Sequence, residues 1–539
     1  MLGLAAGCTD QGSPRQAQSP DAAPVVPEGP PNFLLIVADD LAFTDLGAFG
    51  GEISTPTLDR LAYEGIRFTN FHTSASCAPT RAMLLTGTDN HLAGMGSQSG
   101  LETEQQRLHR AYQNRLLPDV QTLPEALAKL GYVSYASAKW HLGKVEESLP
   151  NARGFARSTV LLEGGAGHFD DTPLFQWYGE TASWLEDDQP ITLPEDFYST
   201  VFMTDQLISY IEATPKDQPY FAYLGYTAPH WPLQAYEEDI ERYADTYQSG
   251  WDTLRAARFA GAQAKGVVAA DAQPVDFEAG MVPWDTLSAA EQAVAAKKMA
   301  VYSAMVDRLD REVDRLLQFL EQRGDLANTY IVFMADNGAE AHLMENVANR
   351  DGWLDAEFDN SLQNIGKADS YVTLGPGWAR AGAVPFRASK SKVSEGGIRV
   401  PAFVKRPGVQ DARVDDSYAR VMDLAPTFIA LAGGEVPEEM MGRDLAATLD
   451  GRGSSYAPDE VIAYEVYGRR GAQRGDWKVL LQEAPYGTGE WQLYNLARDP
   501  GEQHDLSADE PEIRAQLIEA WQDYAQTVGV IDPETPIYY

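Results

Sequence analysis

Apolar residues in this chain gather in short continuous runs separated by polar turns. Phe33-Leu34-Leu35-Ile36-Val37-Ala38 has no polar member and predicts a strand buried on both faces. Tyr132 to Ala138, Tyr220 to Tyr226 and Tyr330 to Ala335 read as further strands, and Ile398 to Lys405 is again extended. Helical patterns fall between them, over Thr57 to Gly65, Thr80 to Leu85, Leu123 to Leu130 and a long amphipathic stretch from Ala289 to Gln322. This alternation predicts an α/β domain whose mainly parallel sheet is covered by helices. Glu237 to Trp284 is irregular and rich in Ala, Asp and Gly, and reads as an insertion that is helical in part. After about Leu445 the pattern changes. Val461 to Val466, Trp477 to Gln482 and Glu490 to Tyr494 are short strand-like runs, and Pro511 to Thr527 is helical, which predicts a smaller antiparallel α+β domain. The expected division is a tail over 1–31, a catalytic domain over 32–445 and a C-terminal domain over 446–539.

Composition narrows the functional classes. At 539 residues, 44% of them hydrophobic, the chain can bury a large core, which excludes global disorder. The 42 Lys and Arg against 79 Asp and Glu leave a net charge of -37, with no basic cluster, so nucleic acid is not an expected partner. The acidity reads first as a solvated, self-repelling surface. Two cysteines, Cys8 and Cys77, build no disulfide framework. No apolar run is long enough to span a membrane. Residues 1–8, ending Ala6-Gly7-Cys8, resemble the end of a bacterial lipoprotein signal, although Ala5 stands where Leu is usual and a basic start is missing. Thr9 to Pro31 is mostly Pro, Ser, Gln and Ala. The expectation is a periplasmic, cell-surface or secreted protein with a lipid anchor at Cys8; the alternative is a frayed terminus.

Five segments carry candidate chemistry. Two strands end alike, one in Asp39-Asp40 and the other in Asp336-Asn337, placing oxygen-bearing side chains where open α/β sheets bind ligands. Either pair alone reads as a polar turn; the repetition points to a cation, because clustered carboxylates repel one another without one. Oxygen donors without His indicate calcium or magnesium, not zinc. Cys77-Ala78-Pro79-Thr80-Arg81, followed by Thr86-Gly87, places a cysteine at a helix mouth and Arg81 one turn on. Such a cysteine is either a nucleophile or an inert buried residue. Lys139-Trp140-His141 follows a strand, and continued alternation would put Lys139 and His141 on one side. Thr227 to Pro232, with His230, and Lys390 to Gly397 are loops beside strands.

Together these segments resemble the type I sulfatases. Cys77-x-Pro79-x-Arg81 with Thr86-Gly87 is similar to that family's highly specific signature, and Gly131 to His141 resembles its second signature, departing at Ala138, where Gly is usual. The likeness runs from Asn32 to about Leu506, and Tyr236 to Asp310 looks like the bacterial arylsulfatase branch. The resemblance implies an alkaline-phosphatase-like fold and hydrolysis of sulfate monoesters. It implies that a maturation enzyme oxidises Cys77 to Cα-formylglycine, whose hydrate attacks sulfur through one hydroxyl and expels sulfate through the other. It further implies one Ca2+ held by Asp39, Asp40, Asp336 and Asn337, and Arg81 and Lys139 holding the formylglycine oxygens. His141 is the implied base, and His230 and Lys390 the groups at the sulfate and leaving oxygen. Lys390 is taken over Lys392 because it lies five residues before Glu395, the family's spacing. His168 is either a pocket-lining group or a structural loop histidine. The rival readings are a formylglycine phosphonate monoester hydrolase or phosphodiesterase, a thiol enzyme using unmodified Cys77, and a catalytically inactive sulfated-glycan-binding protein.

Overall fold

A computed structural model describes residues 29–276 and 281–533. Cys8 and the tail sequence up to residue 28 lie outside the described residues. The most apolar run of the chain forms the strand Asn32–Ala38, buried along its whole length in the middle of a ten-stranded sheet. Tyr220–Gly225 and Thr329–Ala335 flank it in parallel. Val133–Lys139 and Arg157–Leu161 continue the parallel stretch beyond Tyr220–Gly225. Direction reverses towards both edges, where Ala402–Lys405 and Trp184–Glu186 pair antiparallel with their neighbours. Strands covered on both faces need apolar residues at every position, so the central ones were visible as unbroken hydrophobic runs.

Helices supply that cover. The 35-residue helix Ala289–Arg323 opens on a capping box between Ser288 and Glu291 and closes at Gly324 in the left-handed region (φ 84°). The insertion contributes Glu237–Glu241 and Gly250–Ala264. Among the described residues, no helix is long and apolar enough to cross a membrane.

Two of the predicted elements begin well away from where the sequence pattern places them. The helix anticipated over Thr80 to Leu85 begins earlier and spans Cys77–Thr86. The extended reading of Ile398 to Lys405 holds only from Ala402, because Glu395–Ile398 is a helical turn. Close packing requires the two glycines there: a Cβ on Gly396 would lie 2.4 Å from the Arg387 carbonyl oxygen, and one on Gly397 2.0 Å from that of Lys392.

The second sheet is antiparallel in the order Val461–Val466, Arg469–Arg474, Trp477–Leu481, Gln492–Asn495. Arg469–Arg474 (RRGAQR) carries no apolar run, so the sequence pattern did not reveal it as a strand. Helix Pro511–Val528 packs on this sheet, and Leu517 and Trp521 join Ala472, Val479 and Leu493 in a separate small core. Leu449 still belongs to the large core.

The polar contacts between the two parts include a fully buried cluster around His91. His91 lies between Asp89 (2.9 Å) and Glu465 (2.8 Å), and Tyr524 donates to Asp89 at 2.8 Å. Burial alone would lower the imidazole's pKa, but the hydrogen bonds to Asp89 and Glu465 outweigh it and raise it to about 9. Its stabilising contribution is therefore complete below the ordinary histidine value near 6.5 and is lost as pH rises through about 9. His91→Ala, which strands two buried carboxylates, is expected to cost about 3–5 kcal/mol at neutral pH and to flatten the loss of stability towards alkaline pH. Denaturant titrations at neutral pH and near the raised pKa test this; an unchanged midpoint would remove His91 from the contact.

Candidate active site

The parallel register places the two acidic strand ends side by side. Ala38 pairs with Ala335, and the Asp336 amide donates to the Ala38 carbonyl at 3.0 Å, so Asp39-Asp40 and Asp336-Asn337 leave the sheet together. Asp40 then turns through the left-handed region (φ 62°), and its amide donates to Asp336 Oδ1 at 3.2 Å. Asn337 Nδ2 donates to Asp40 Oδ1 at 2.7 Å. All four residues are at most 1% exposed.

Cys77 is the first residue of its helix, and its thiol approaches the same corner, 3.4 Å from Asp39 Oδ1 and 3.8 Å from Asp40 Oδ1. Arg81, one turn later, donates from Nε and Nη2 to Asp336 Oδ2 at 3.0 and 2.7 Å. Its Nη1 reaches the Lys139 carbonyl (2.9 Å) and the Tyr223 hydroxyl (3.1 Å). Lys139 Nζ lies 2.6 Å from Asp39 Oδ2, and Lys390 Nζ lies 2.8 Å from Asp40 Oδ2. Each carboxylate thus faces a cation, as buried charge requires.

The pKa directions show how crowded the corner is. Burial, then Asp336, hold Asp39 up at about 7 against the pull of Lys139 and Arg81. Burial also raises Asp40, with Lys390 opposing. Burial would raise Asp336 as well, but Arg81, Lys139 and Lys390 outweigh it and leave the group below its ordinary value. Burial and then Asp336 push the Cys77 thiol well up, so the unmodified side chain is a neutral thiol and a poor nucleophile.

The donor set suits a hard cation. Ligand atoms of Asp39, Asp40, Cys77 and Asp336 all lie within 4.8 Å of one another. Asn337 Oδ1 is buried and has no hydrogen-bond partner, so it carries an unused lone pair at the same corner. Three carboxylates and an amide oxygen are the chemistry of a calcium or magnesium site.

The histidines occupy three different settings. The strand Val133–Lys139 ends before His141, which sits in the left-handed region (φ 57°), so this turn and not strand alternation orients its ring. His141 Nδ1 is buried without a partner. Burial and the neighbouring Lys139, Arg81 and Lys390 push its pKa well down. His230 Nε2 is 3.7 Å from Asp40 Oδ2, and its Nδ1 contacts the Trp231 carbonyl at 2.5 Å. His168 has both ring nitrogens engaged within the protein. It is 1% exposed, with Nδ1 at 2.7 Å from Ser199 Oγ and Nε2 at 2.9 Å from the His230 carbonyl, and it braces the loop that carries His230.

Sequence reasoning missed Glu340 and Tyr223. Glu340 Oε2 lies 3.6 Å from Lys390 Nζ, and His342 and Lys390 overcome the effect of burial and hold the acid down at about 2. Its signal was a second acidic residue four positions after Asp336. Tyr223 is hidden inside an apolar strand and offered none.

The parallel sheet, the separate small antiparallel sheet and the buried corner at the strand ends define an alkaline-phosphatase-like fold. Solved structures agree: Ps i-CgsB in complex with k-i-k-neocarrahexaose superposes with a TM-score of 0.68 at 23% identity, covering 95% of each chain. BT4656 in complex with its substrate D-glucosamine-2-N,6-O-disulfate gives a TM-score of 0.62 at 20% identity over 94% of this chain and 99% of that one. Residues 31–434 match the family model "Sulfatase", and residues 389–526 match "N-sulphoglucosamine sulphohydrolase, C-terminal". An uncharacterized sulfatase of Schizosaccharomyces pombe is 37% identical over 527 residues, 93% of this chain and 94% of its own length. An arylsulfatase of Klebsiella aerogenes is 37% identical over 407 residues, 75% of this chain and 87% of its own length. The chain belongs to the sulfatase family.

Proposed function

We propose that this protein hydrolyses sulfate monoesters to an alcohol or phenol and inorganic sulfate, with residue 77 acting after conversion to formylglycine. The observation that carries the reading is the position of Cys77: first residue of a buried helix, 3.4 Å from Asp39, in a corner shared with Arg81, Lys139 and Lys390. In formylglycine form this residue supplies a geminal diol, one oxygen to attack sulfur and one to expel sulfate. Asp39, Asp40, Asp336 and Asn337 would hold a Ca2+ ion, which when bound supplies Lewis acidity to that diol. The chain's own groups do the rest. Arg81 and Lys139 orient the residue 77 oxygens. His141, with Nδ1 unpaired and its pKa pushed down, is neutral and able to take a proton. Lys390 and His230 face the transferred sulfate and the leaving oxygen, where fixed positive charge and N–H groups stabilise developing negative charge.

The test compares an aryl sulfate with the matching phosphonate ester and phosphodiester, using Cys77→Ala protein as the blank. Preference for the sulfate is expected; preference for a phosphorus ester would move the protein to the rival hydrolase class. Binding of a sulfated glycan without turnover by formylglycine-bearing protein would favour the inactive-binder reading.

Calcium chelation is expected to abolish activity, and added Ca2+ to restore it. Asp336→Ala should lose the bound metal on elemental analysis; unchanged calcium content would take Asp336 out of the ligand set. We also propose export, with Cys8 as a lipid anchor, on the likeness of residues 1–8 to a lipoprotein signal. Recovery of the full-length protein in the cytosolic fraction of its native cell would count against it.

A further inference from the structure

A cavity of about 370 Å³ opens beside His141. It is small for a ligand site, since such sites run roughly from 300 to 1,000 Å³. One wall is backbone: Gly164 lies so close to the imidazole that a Cβ there would fall 2.7 Å from His141 Cε1. Met95, Val145 and Leu162 give the cavity apolar surface. Tyr178, 38% exposed, stands at the rim. Next to it Trp177, 54% exposed, stacks on Phe175 with ring centroids 4.4 Å apart. An exposed aromatic at the mouth of a cleft is a stacking surface for a ring, and Tyr178 is the one that lines this cavity.

Two kinds of polar group in the wall bear on what it can hold. The charged ones are paired with each other or with near neighbours: Lys144 Nζ is 2.5 Å from Glu163 Oε1, and Arg115 pairs with Glu147. Two neutral atoms, His141 Nδ1 and Asn114 Oδ1, are buried without a hydrogen-bond partner. Asn114 also holds a left-handed backbone (φ 51°), uncommon outside glycine, with its amide donating to the Gly94 carbonyl at 3.0 Å. A strained residue with an unused acceptor in a cavity wall is suited to a ligand.

We propose that this cavity holds the alcohol half of the ester and selects a neutral leaving group of one or two rings. Tyr178 covers the ring face, and Asn114 Oδ1 accepts a hydrogen bond from a ring hydroxyl. Neutrality follows from the paired charges: the wall's cations, Lys144 and Arg115, already face Glu163 and Glu147, so a second sulfate or a carboxylate would have to displace a carboxylate to be held. The proposal rests on the sulfatase reading, because His141 joins the cavity to the buried corner.

The experiment is calorimetric titration of Cys77→Ala protein, which cannot turn substrate over, with inorganic sulfate, nitrophenyl sulfate, nitrophenol, a hexose monosulfate and a hexose disulfate. Adding Tyr178→Ala should weaken both monosulfate esters about three- to tenfold, with inorganic sulfate unchanged and Tyr178→Phe restoring affinity. Adding Asn114→Ala should weaken the hexose monosulfate by a similar factor and spare nitrophenyl sulfate. The disulfate should bind no more tightly than the monosulfate. Esters indifferent to both substitutions, or a disulfate that binds tenfold more tightly, would overturn the proposal. Failure of the parent protein to bind any sulfate would count against the sulfatase reading instead. In that case nitrophenol still reads the cavity: binding lost in Tyr178→Ala sustains it as a ring site, and no binding overturns it.

Discussion

Cys77→Ala protein is expected to lose turnover by at least about 10⁴-fold, the scale on which removal of a covalent nucleophile acts. Its stability should change by no more than about 1–2 kcal/mol. The two expectations separate because the side chain does little for the fold. The thiol's contacts with Asp39 and Asp40, at 3.4 and 3.8 Å, are long, and it is a small group in an already crowded corner. The cations and carboxylates keep their pairings without it: Arg81 with Asp336, Lys139 with Asp39, Lys390 with Asp40. Measured rates on an aryl sulfate and denaturant midpoints read the two effects. A variant that retains near-normal rates would falsify the covalent mechanism. Mass spectrometry of the residue 77 peptide gives a second check, since conversion to formylglycine removes hydrogen sulfide and adds one oxygen atom. Cys77→Ser should be equally inactive unless the host's maturation enzyme accepts serine, because an ordinary serine has no second hydroxyl with which to eject sulfate.

Lys478→Met should cost about 3–5 kcal/mol and lower activity with it, although Lys478 touches none of the proposed catalytic groups. Lys478 Nζ sits 2.7 Å from Glu395 Oε1 and 2.7 Å from Glu502 Oε1, with all three side chains at 0% exposure. Burial would raise the Glu395 carboxyl, but Lys478 and His72 hold it well below its ordinary value. Glu395 keeps His72 at 3.1 Å and Arg399 at 3.4 Å, and Glu502 keeps Arg387 at 3.3 Å. Without Lys478 those partners are longer or more exposed contacts, and the two carboxylates face each other with less compensation. Methionine preserves most of the stem volume, so the loss reads charge and not packing. The effect on activity follows from position: Lys478 lies in the second sheet, while Glu395 starts the helical turn five residues after Lys390. Loosening that turn moves the lysine that pairs with Asp40. A variant as stable as the parent to within about 0.5 kcal/mol would show that the cluster is dispensable. A stability loss with unchanged kcat would show that the Lys390 segment is held by other contacts.

Much of the site was legible without coordinates, for a local reason. Cys77 and Arg81 fall on one face of a helix because they are one turn apart, and Pro79 suits its first turn. Asp39-Asp40 and Asp336-Asn337 follow unbroken apolar runs, and such runs become central parallel strands whose carboxyl ends face a common cleft. The long helix Ala289–Arg323 declared itself by its amphipathic periodicity. These features depend on spacing along the chain, so local sequence is sufficient to reveal them.

What only the tertiary structure decided depends on contacts between distant segments. The sequence offered no local signal for Arg469–Arg474, whose strand character comes from pairing with neighbours on both sides. The backbone at His141 enters the left-handed region, against the alternation expected after a strand. His168 was ambiguous until Ser199 Oγ and the His230 carbonyl were seen to take both ring nitrogens. Glu340, Tyr223 and the Lys478–Glu395–Glu502 cluster join groups up to hundreds of residues apart, and a buried charge reveals its partner only when the chain has closed around both. The sequence alone determined which groups could react and where the sheet would present them; the packed structure decided which group each one faces.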